Sequence, residues 1–206
     1  MKPYTLVTGR VAPLPRSDID TDQIIPARHL SRIERSGYGQ FLFEGWRISE
    51  SGDPDPTFVL NDQRFRRATV LATGPNFGCG SSREHAVWAL LDYGFRTVIA
   101  SSFADIFRNN CYQNGVLPVA LPDSAVRRIM TRAASDGTYQ VTVDLHACRV
   151  TDTVDLAEGF HVDPFRRECL LAGADDIDIT LRHVTAIEAY ERDHGLANCA
   201  APLEDT

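Results

Sequence analysis

The sequence predicts a mixed α/β or α+β fold, and three observations carry that reading. Short β-branched and apolar runs at Ala68–Ala72, Thr97–Ala100 and Val116–Leu121 alternate with stretches of helical apolar spacing. Two later runs, Tyr139–Leu145 and Cys148–Val154, flank His146-Ala147 as the arms of a hairpin do. The passage from strand to helix after residue 72 is a glycine-rich loop, Gly74-Pro75-Asn76-Phe77-Gly78-Cys79-Gly80-Ser81-Ser82-Arg83-Glu84-His85-Ala86.

Along the chain, Tyr4 to Val11 alternates like an edge strand, and Pro13, Pro15 and Ser17 break it. Residues 28 to 56 read as loop, with Asp53-Pro54-Asp55-Pro56 a turn. After the glycine loop, Ala86–Leu91 has strong helix formers, a short helix runs through Phe103 to Tyr112, and Asp123 caps a helix to Ala134. Helices follow at Pro164–Ala172 and Thr185–His194, stopped by Gly173 and Gly195. There is no internal repeat.

At 206 residues, 43% hydrophobic and 24% charged, the chain is expected to form one compact domain over 1–206, with a short polar tail from about residue 195. A formal charge of −7 argues against a nucleic-acid surface, because binding phosphates needs a basic face. No window approaches a membrane span and Met1-Lys2-Pro3-Tyr4 opens no signal peptide, so a cytoplasmic location is expected. The cysteines at 79, 111, 148, 169 and 199 contain no Cys-x-x-Cys pair and suggest neither a zinc nor an iron–sulfur site. His146, His161, His183 and His194 show no ligand spacing either. No metal site is expected on this chain.

The glycine loop concentrates the chemistry. Ser81 and Glu84 have the spacing of a capping box, which makes Ser81 or Ser82 the expected N-cap of the following helix. First-turn N–H groups at the positive end of the helix dipole favour an anionic oxygen there. Arg83 runs against that dipole and therefore needs an anionic partner, from the fold or from a ligand. Gly74, Gly78 and Gly80 allow close approach of backbone, which a plain cap does not require. The loop is neither a P-loop nor a nucleophile elbow, and Arg83 stands where a Rossmann motif has its third glycine.

The run Asn76–Ala86 resembles the active-site serine loop of the aconitase superfamily. Asp20-Thr21-Asp22-Gln23-Ile24-Ile25-Pro26-Ala27, Gly37–Phe43 with Trp46-Arg47, Ser102–Phe107 and Asp163–Arg167 are similar to the small-subunit family of bacterial isopropylmalate dehydratases, in order from about residue 4 to about 192. The resemblance implies the swivelling β/β/α domain of that superfamily, with mixed sheet layers and helices. It implies a hydro-lyase that moves a hydroxyl between neighbouring carbons of isopropylmalate through isopropylmaleate, in leucine biosynthesis. It further implies a larger partner subunit carrying a [4Fe–4S] cluster, and a small dicarboxylate substrate.

Carried over residue by residue, Ser81 matches the family's catalytic base, and Ser82 and Arg83 match its contacts to substrate carboxylate. Asp22 matches an aspartate that orients the arginine or the loop, with a turn aspartate as the equal alternative. Asn76, Gly78, Cys79, Gly80, Glu84 and His85 are supporting: Cys79 as a small packing residue, His85 as a neutral ring pinned by local hydrogen bonds. Arg28, His29, Leu30, Ser31, Arg32 and Ile33 occupy the segment where family members choose substrate. Leu30 and Ile33 could line an apolar pocket, while Arg28, Arg32 and Arg35 could meet a carboxylate. Related hydratases of homoaconitate, citraconate or dimethylmalate, and a silent module that binds an organic acid and regulates a partner, remain as alternatives.

Overall fold

The computed structural model describes residues 1–32 and 36–195. Ile33 and Arg35, the fifth cysteine Cys199 and almost all of the expected polar tail lie outside the described residues. The elements run β1 (Leu6–Leu14), α1 (Thr21–Ile24), α2 (Glu44–Arg47), β2 (Val70–Thr73), α3 (Glu84–Tyr93), β3 (Thr97–Ala100), α4 (Asp105–Asn114), β4 (Leu117–Ala120), α5 (Asp123–Ser135), β5 (Gln140–Asp144), β6 (Arg149–Thr151), β7 (Ala157–Gly159), α6 (Pro164–Ala172), α7 (Asp176–Leu181) and α8 (Val184–Asp193).

The strands form one sheet in the order β4-β3-β2-β1-β5-β6-β7. The expected edge strand is instead its centre. Leu6–Arg10 of β1 pair antiparallel with β5, and Val11–Leu14 pair parallel with β2. Pro13 is tolerated because it lies beyond the antiparallel register, where only the β2 side of the strand is paired. One end of the sheet is therefore parallel, β1 to β4, and the other is a meander, β5 to β7.

Alternation along the parallel strands sorts the core onto two faces. Leu71, Val98 and Ala100 pack with Ala86, Val87, Ala89 and Leu90 of α3, whereas Val70, Ala72, Ile99, Leu117 and Val119 pack with Val126, Ile129 and Ala133 of α5. Both faces of these strands are covered, which is why they read as continuous apolar runs. The helices α7 and α8 bury no residue.

Several local expectations shift. Pro122 rather than Asp123 caps α5, and Asp123 pairs instead with Arg127 one turn on. Asp163 caps α6 through the amides of Phe165 and Arg166 at 3.0 and 3.1 Å. Residues 28 to 56 hold two 3-10 turns and α2 rather than loop alone. The helix α7 is opened by a capping box of Asp175 and Asp178, and β7 reads as Ala-Glu-Gly, which carries no strand signal.

Candidate active site at the carboxyl ends of the parallel strands

In an open sheet with parallel strands, the loops leaving the strands' carboxyl ends meet along one edge. Here the loops after β1, β2 and β3 are laced together by backbone. Gly74 N donates to Arg16 O at 2.9 Å, Asp18 N to Pro75 O at 3.0 Å, and Gly78 N to Ile19 O at 2.7 Å. On the other side, Phe77 N donates to Ser102 O at 3.1 Å and Ala104 N to Phe77 O at 3.0 Å. Asn76, at φ +58°, donates its backbone N–H to the Ser102 hydroxyl and its side-chain amide to Asp18, both at 2.8 Å. The serine loop is thus held from both flanks.

Gly78 and Gly80 both sit at positive φ, +77° and +87°. A Cβ at Gly78 would also lie 2.1 Å from the Phe107 ring, so no other residue fits there. Beneath the loop, Phe77 is fully buried with its ring edge-on to Phe103 and Phe107.

The capping box expected at Ser81 and Glu84 does not form. Arg83 is the N-cap of α3, in extended conformation and without a side-chain cap. Glu84 instead accepts from Asn114 Nδ2 at 2.9 Å, and Asn114 accepts from Trp88 Nε1, so the glutamate ties α3 to α4. The box with this signature lies at Asp20 and Gln23, where it starts α1. Arg83 has the anionic partner its position demands: its guanidinium pairs with Asp22 and reaches the Ile25 carbonyl at 3.5 Å. The arginine side chain is 14% exposed and the aspartate 54%, so the pair sits at a mouth with the carboxylate on the outside.

Thr21, Gly78, Gly80, Ser81, Ser82 and Arg83 line one wall of a cleft of about 330 Å³, and Ala104, Asp105, Ile106 and Phe107 line the other. Both α3 and α4 begin at this cleft without side-chain caps, leaving first-turn N–H groups with no side-chain acceptor. An arginine, two serine hydroxyls and two helix N-termini converge there, the setting in which a carboxylate or an alkoxide is stabilised. A larger groove of about 580 Å³ lies between Pro13, Phe58 and Met130. Its charged residues are already paired within the chain, Asp62 with Arg64 and Arg127 with Asp123, so the smaller cleft is the candidate site.

His85 lies behind the loop, 5.4 Å from the Tyr38 ring and 4.6 Å from Trp88. Burial pushes its pKa down, and Arg83 adds to this against the opposing pull of Glu84, which favours the neutral ring. Aromatic packing holds it where hydrogen bonds were expected. Cys79 is half-buried, and burial together with Asp20 and Asp18 raises its thiol pKa, the reverse of what a nucleophile needs. Cys111 is wholly buried and pushed further up. Among the described residues no group of three or more histidines, cysteines and carboxylates is placed to hold a metal.

Of the segment expected to choose substrate, the described residues 28–32 do not line the cleft. Arg28 pairs with Glu44 at 2.7 Å and His29 with the same carboxylate at 2.5 Å, while the His29 ring stacks on Phe41 at 3.8 Å. Arg32 lies over the rings of Phe41 and Tyr38. Leu30 is half-buried and Ser31 exposed. Sequence reasoning missed Thr21 and the wall from Ala104 to Phe107. The signal was available, since Ser102 to Asp105 follow a strand adjacent to β2 and must emerge at the same sheet edge.

A family model described as the Aconitase C-terminal domain matches residues 1–124. The 3-isopropylmalate dehydratase small subunit of Brevibacillus brevis is 55% identical over 93% of this chain and 98% of its own. That of Rhodospirillum centenum is 53% identical over 93% and 94%. The chain belongs to the aconitase family's 3-isopropylmalate dehydratase small subunits. A solved 3-isopropylmalate dehydratase structure from Methanocaldococcus jannaschii superimposes with a TM-score of 0.65 at 26% identity, covering 89% of this chain and 99% of that one. The shared fold is the mixed sheet with helices on both faces described above. No helix among the described residues is long and apolar enough to cross a membrane.

Proposed function

We propose that this chain is the small subunit of a cytoplasmic hydro-lyase that interconverts 2- and 3-isopropylmalate through isopropylmaleate, a step of leucine biosynthesis. The observation that carries the reading is the pairing of Arg83 with Asp22 beside Ser81 and Ser82, in a cleft where α3 and α4 both begin. Asp22 holds the guanidinium through one edge, leaving the remaining N–H donors to take a substrate carboxylate in parallel hydrogen bonds. Ser82 adds a hydroxyl to the same carboxylate.

Ser81 then stands where a base is needed. It takes the proton from the carbon next to the one bearing the hydroxyl; the C–H electron pair becomes the alkene as hydroxide departs, taking up a proton from solvent to leave as water. Rehydration runs in reverse on the neighbouring carbon, with Ser81 returning the proton. A serine is a weak base, and its alkoxide is made accessible by the Arg83 charge and the first-turn amides around it. Among the described residues the cysteines are scattered, and no group of three or more lies together as the ligands of an iron–sulfur cluster must. The Lewis acid for the departing hydroxyl is accordingly assigned to a [4Fe–4S] cluster on a larger partner subunit.

The test is to purify the chain alone and after assembly with the larger subunit. Alone it is colourless and does not hydrate isopropylmaleate; together the pair does, and does so faster than with citraconate. A stoichiometric cluster on this chain by itself would overturn the two-subunit reading, and a preference for citraconate would move it to a related hydratase.

A further inference from the structure

Ser81 does not cap α3, so its place must be fixed in another way, and the contacts that fix it come from α1. Thr21 is 2% exposed, a buried polar side chain at the first position of that helix. Its backbone N–H donates to Cys79 O at 2.9 Å, and its hydroxyl donates to Ser81 O at 2.8 Å. The two bonds straddle Gly80, the residue at φ +87° whose conformation turns the loop towards the cleft. Thr21 Oγ1 also lies 3.5 Å from Ser81 Oγ. That is too long for a formed O–H···O bond, yet within reach of a small rotation of the serine side chain. Thr21 is itself placed by Asp20, whose carboxylate accepts from Gln23 N at 2.7 Å to open α1.

We infer that Thr21 is a positioning residue that aims the Ser81 hydroxyl into the cleft, by clipping the loop on both sides of Gly80. The inference rests on the reading of Ser81 as the base. Threonine suits the task because its branched Cβ stiffens χ1 and so fixes the direction of the hydroxyl. Valine has the same shape and lacks only the donor.

The experiment measures kcat and KM for isopropylmalate with the assembled two-subunit enzyme. Thr21→Val should lower kcat about 10- to 100-fold with KM changed less than about threefold, since a small misplacement of a reacting group costs rate rather than affinity. Thr21→Ser, which keeps the hydroxyl, should restore most of the rate. In a Ser81→Ala background, Thr21→Val should cost nothing more, because the group it positions is gone. An equal further loss in that background, or a Thr21→Val enzyme of normal kcat, would overturn the inference and leave the Ser81 assignment standing. A Ser81→Ala enzyme of normal turnover would remove the base itself, a different failure. Should Thr21→Val not assemble, Thr21→Ser and Thr21→Cys carry the test. The weak thiol donor should be at least about tenfold slower in kcat than the serine, and equal rates would sink the idea.

Discussion

Two arginine–aspartate pairs sit at opposite ends of the sheet, and they are built for different purposes. At the meander end, Arg132 of α5 grips Asp152, whose side chain is wholly buried. Asp152 accepts from the backbone of Val154, Asp155 and Leu156 at 2.8 to 3.0 Å and from the Tyr139 hydroxyl at 2.7 Å. Every lone pair is used, and Arg132 spends its second Nη on Asp155. At the parallel end, Arg83 holds Asp22 with the carboxylate half in solvent and donors to spare. Burial alone would raise the Asp152 pKa, but the Leu156 amide, Tyr139, the Val154 amide and Arg132 outweigh it and hold it far below the usual carboxylate range. The pair whose hydrogen-bonding capacity is all used within the fold is thus the structural one. What marks the candidate site is the unused hydrogen-bonding capacity at the mouth of a cleft.

The sharpest way to break that contrast is Ser81→Ala in the assembled enzyme. Turnover should fall about 10² to 10⁴-fold, the usual worth of a general base. Because Ser81 is not the helix cap, the melting temperature should barely move. A parallel loss of stability and rate would return Ser81 to a structural role.

Next in size is Asp152→Asn, expected to destabilise the fold by about 2 to 4 kcal/mol at neutral pH, because the buried carboxylate's charge-assisted hydrogen bonds weaken and an NH2 group comes to face donors. The kcat of the folded fraction should be unchanged. Since the folded carboxyl titrates below its unfolded value of about 4, its contribution is complete above about pH 5 and is lost as pH falls through the folded pKa. Denaturation followed from pH 7 down to pH 3 should therefore show a shallower acid slope in the variant than in the wild type. An unchanged slope would mean that another carboxylate governs acid unfolding.

Arg83→Lys keeps the charge and loses the planar fork, so kcat/KM should drop by the equivalent of about 2 to 4 kcal/mol while folding is little affected. Near-normal kcat/KM would make Arg83 a partner of Asp22 and nothing more. The smallest effect is expected for Cys79→Ala. Its raised thiol takes no part in the chemistry, so activity should stay within about twofold and stability within about 1 kcal/mol. A large loss of rate would give Cys79 a role that neither its burial nor its charge environment suggests.

Much of this was legible in the sequence where the signal is local. The alternating strand and helix runs from 68 to 134 appear within about two residues, because both faces of the parallel strands are buried and their composition says so. The Ser-x-x-Glu spacing misled because a neighbour outbid the local contact: Asn114 on α4 claims Glu84, and that contact lies 30 residues away. Asp20-x-x-Gln23 had the same signature and was the one that folded as written. The edge reading of β1 failed for a related reason. Alternation reports one polar face over Leu6–Arg10 but cannot report that a strand changes partners halfway. Glu44 was likewise invisible as the residue that occupies Arg28 and His29, because ion pairing between a turn and a later helix leaves no periodic trace.

The change of partner within β1 bears on how the chain can be made and divided. Leu6 to Arg10 pair with residues near 142 and Val11 to Leu14 with residues near 72, so β1 is made well before β5 and is among the last strands to find both neighbours. Contacts so distant in sequence slow folding and prolong the exposure of an open strand edge. The stretch matched by the family model, residues 1–124, contains β1 to β4 but not β5, which covers the other edge of β1. Expressed as a fragment, it would present Leu6–Arg10 as an unpaired template for a second chain, and would aggregate more readily than the longer chain.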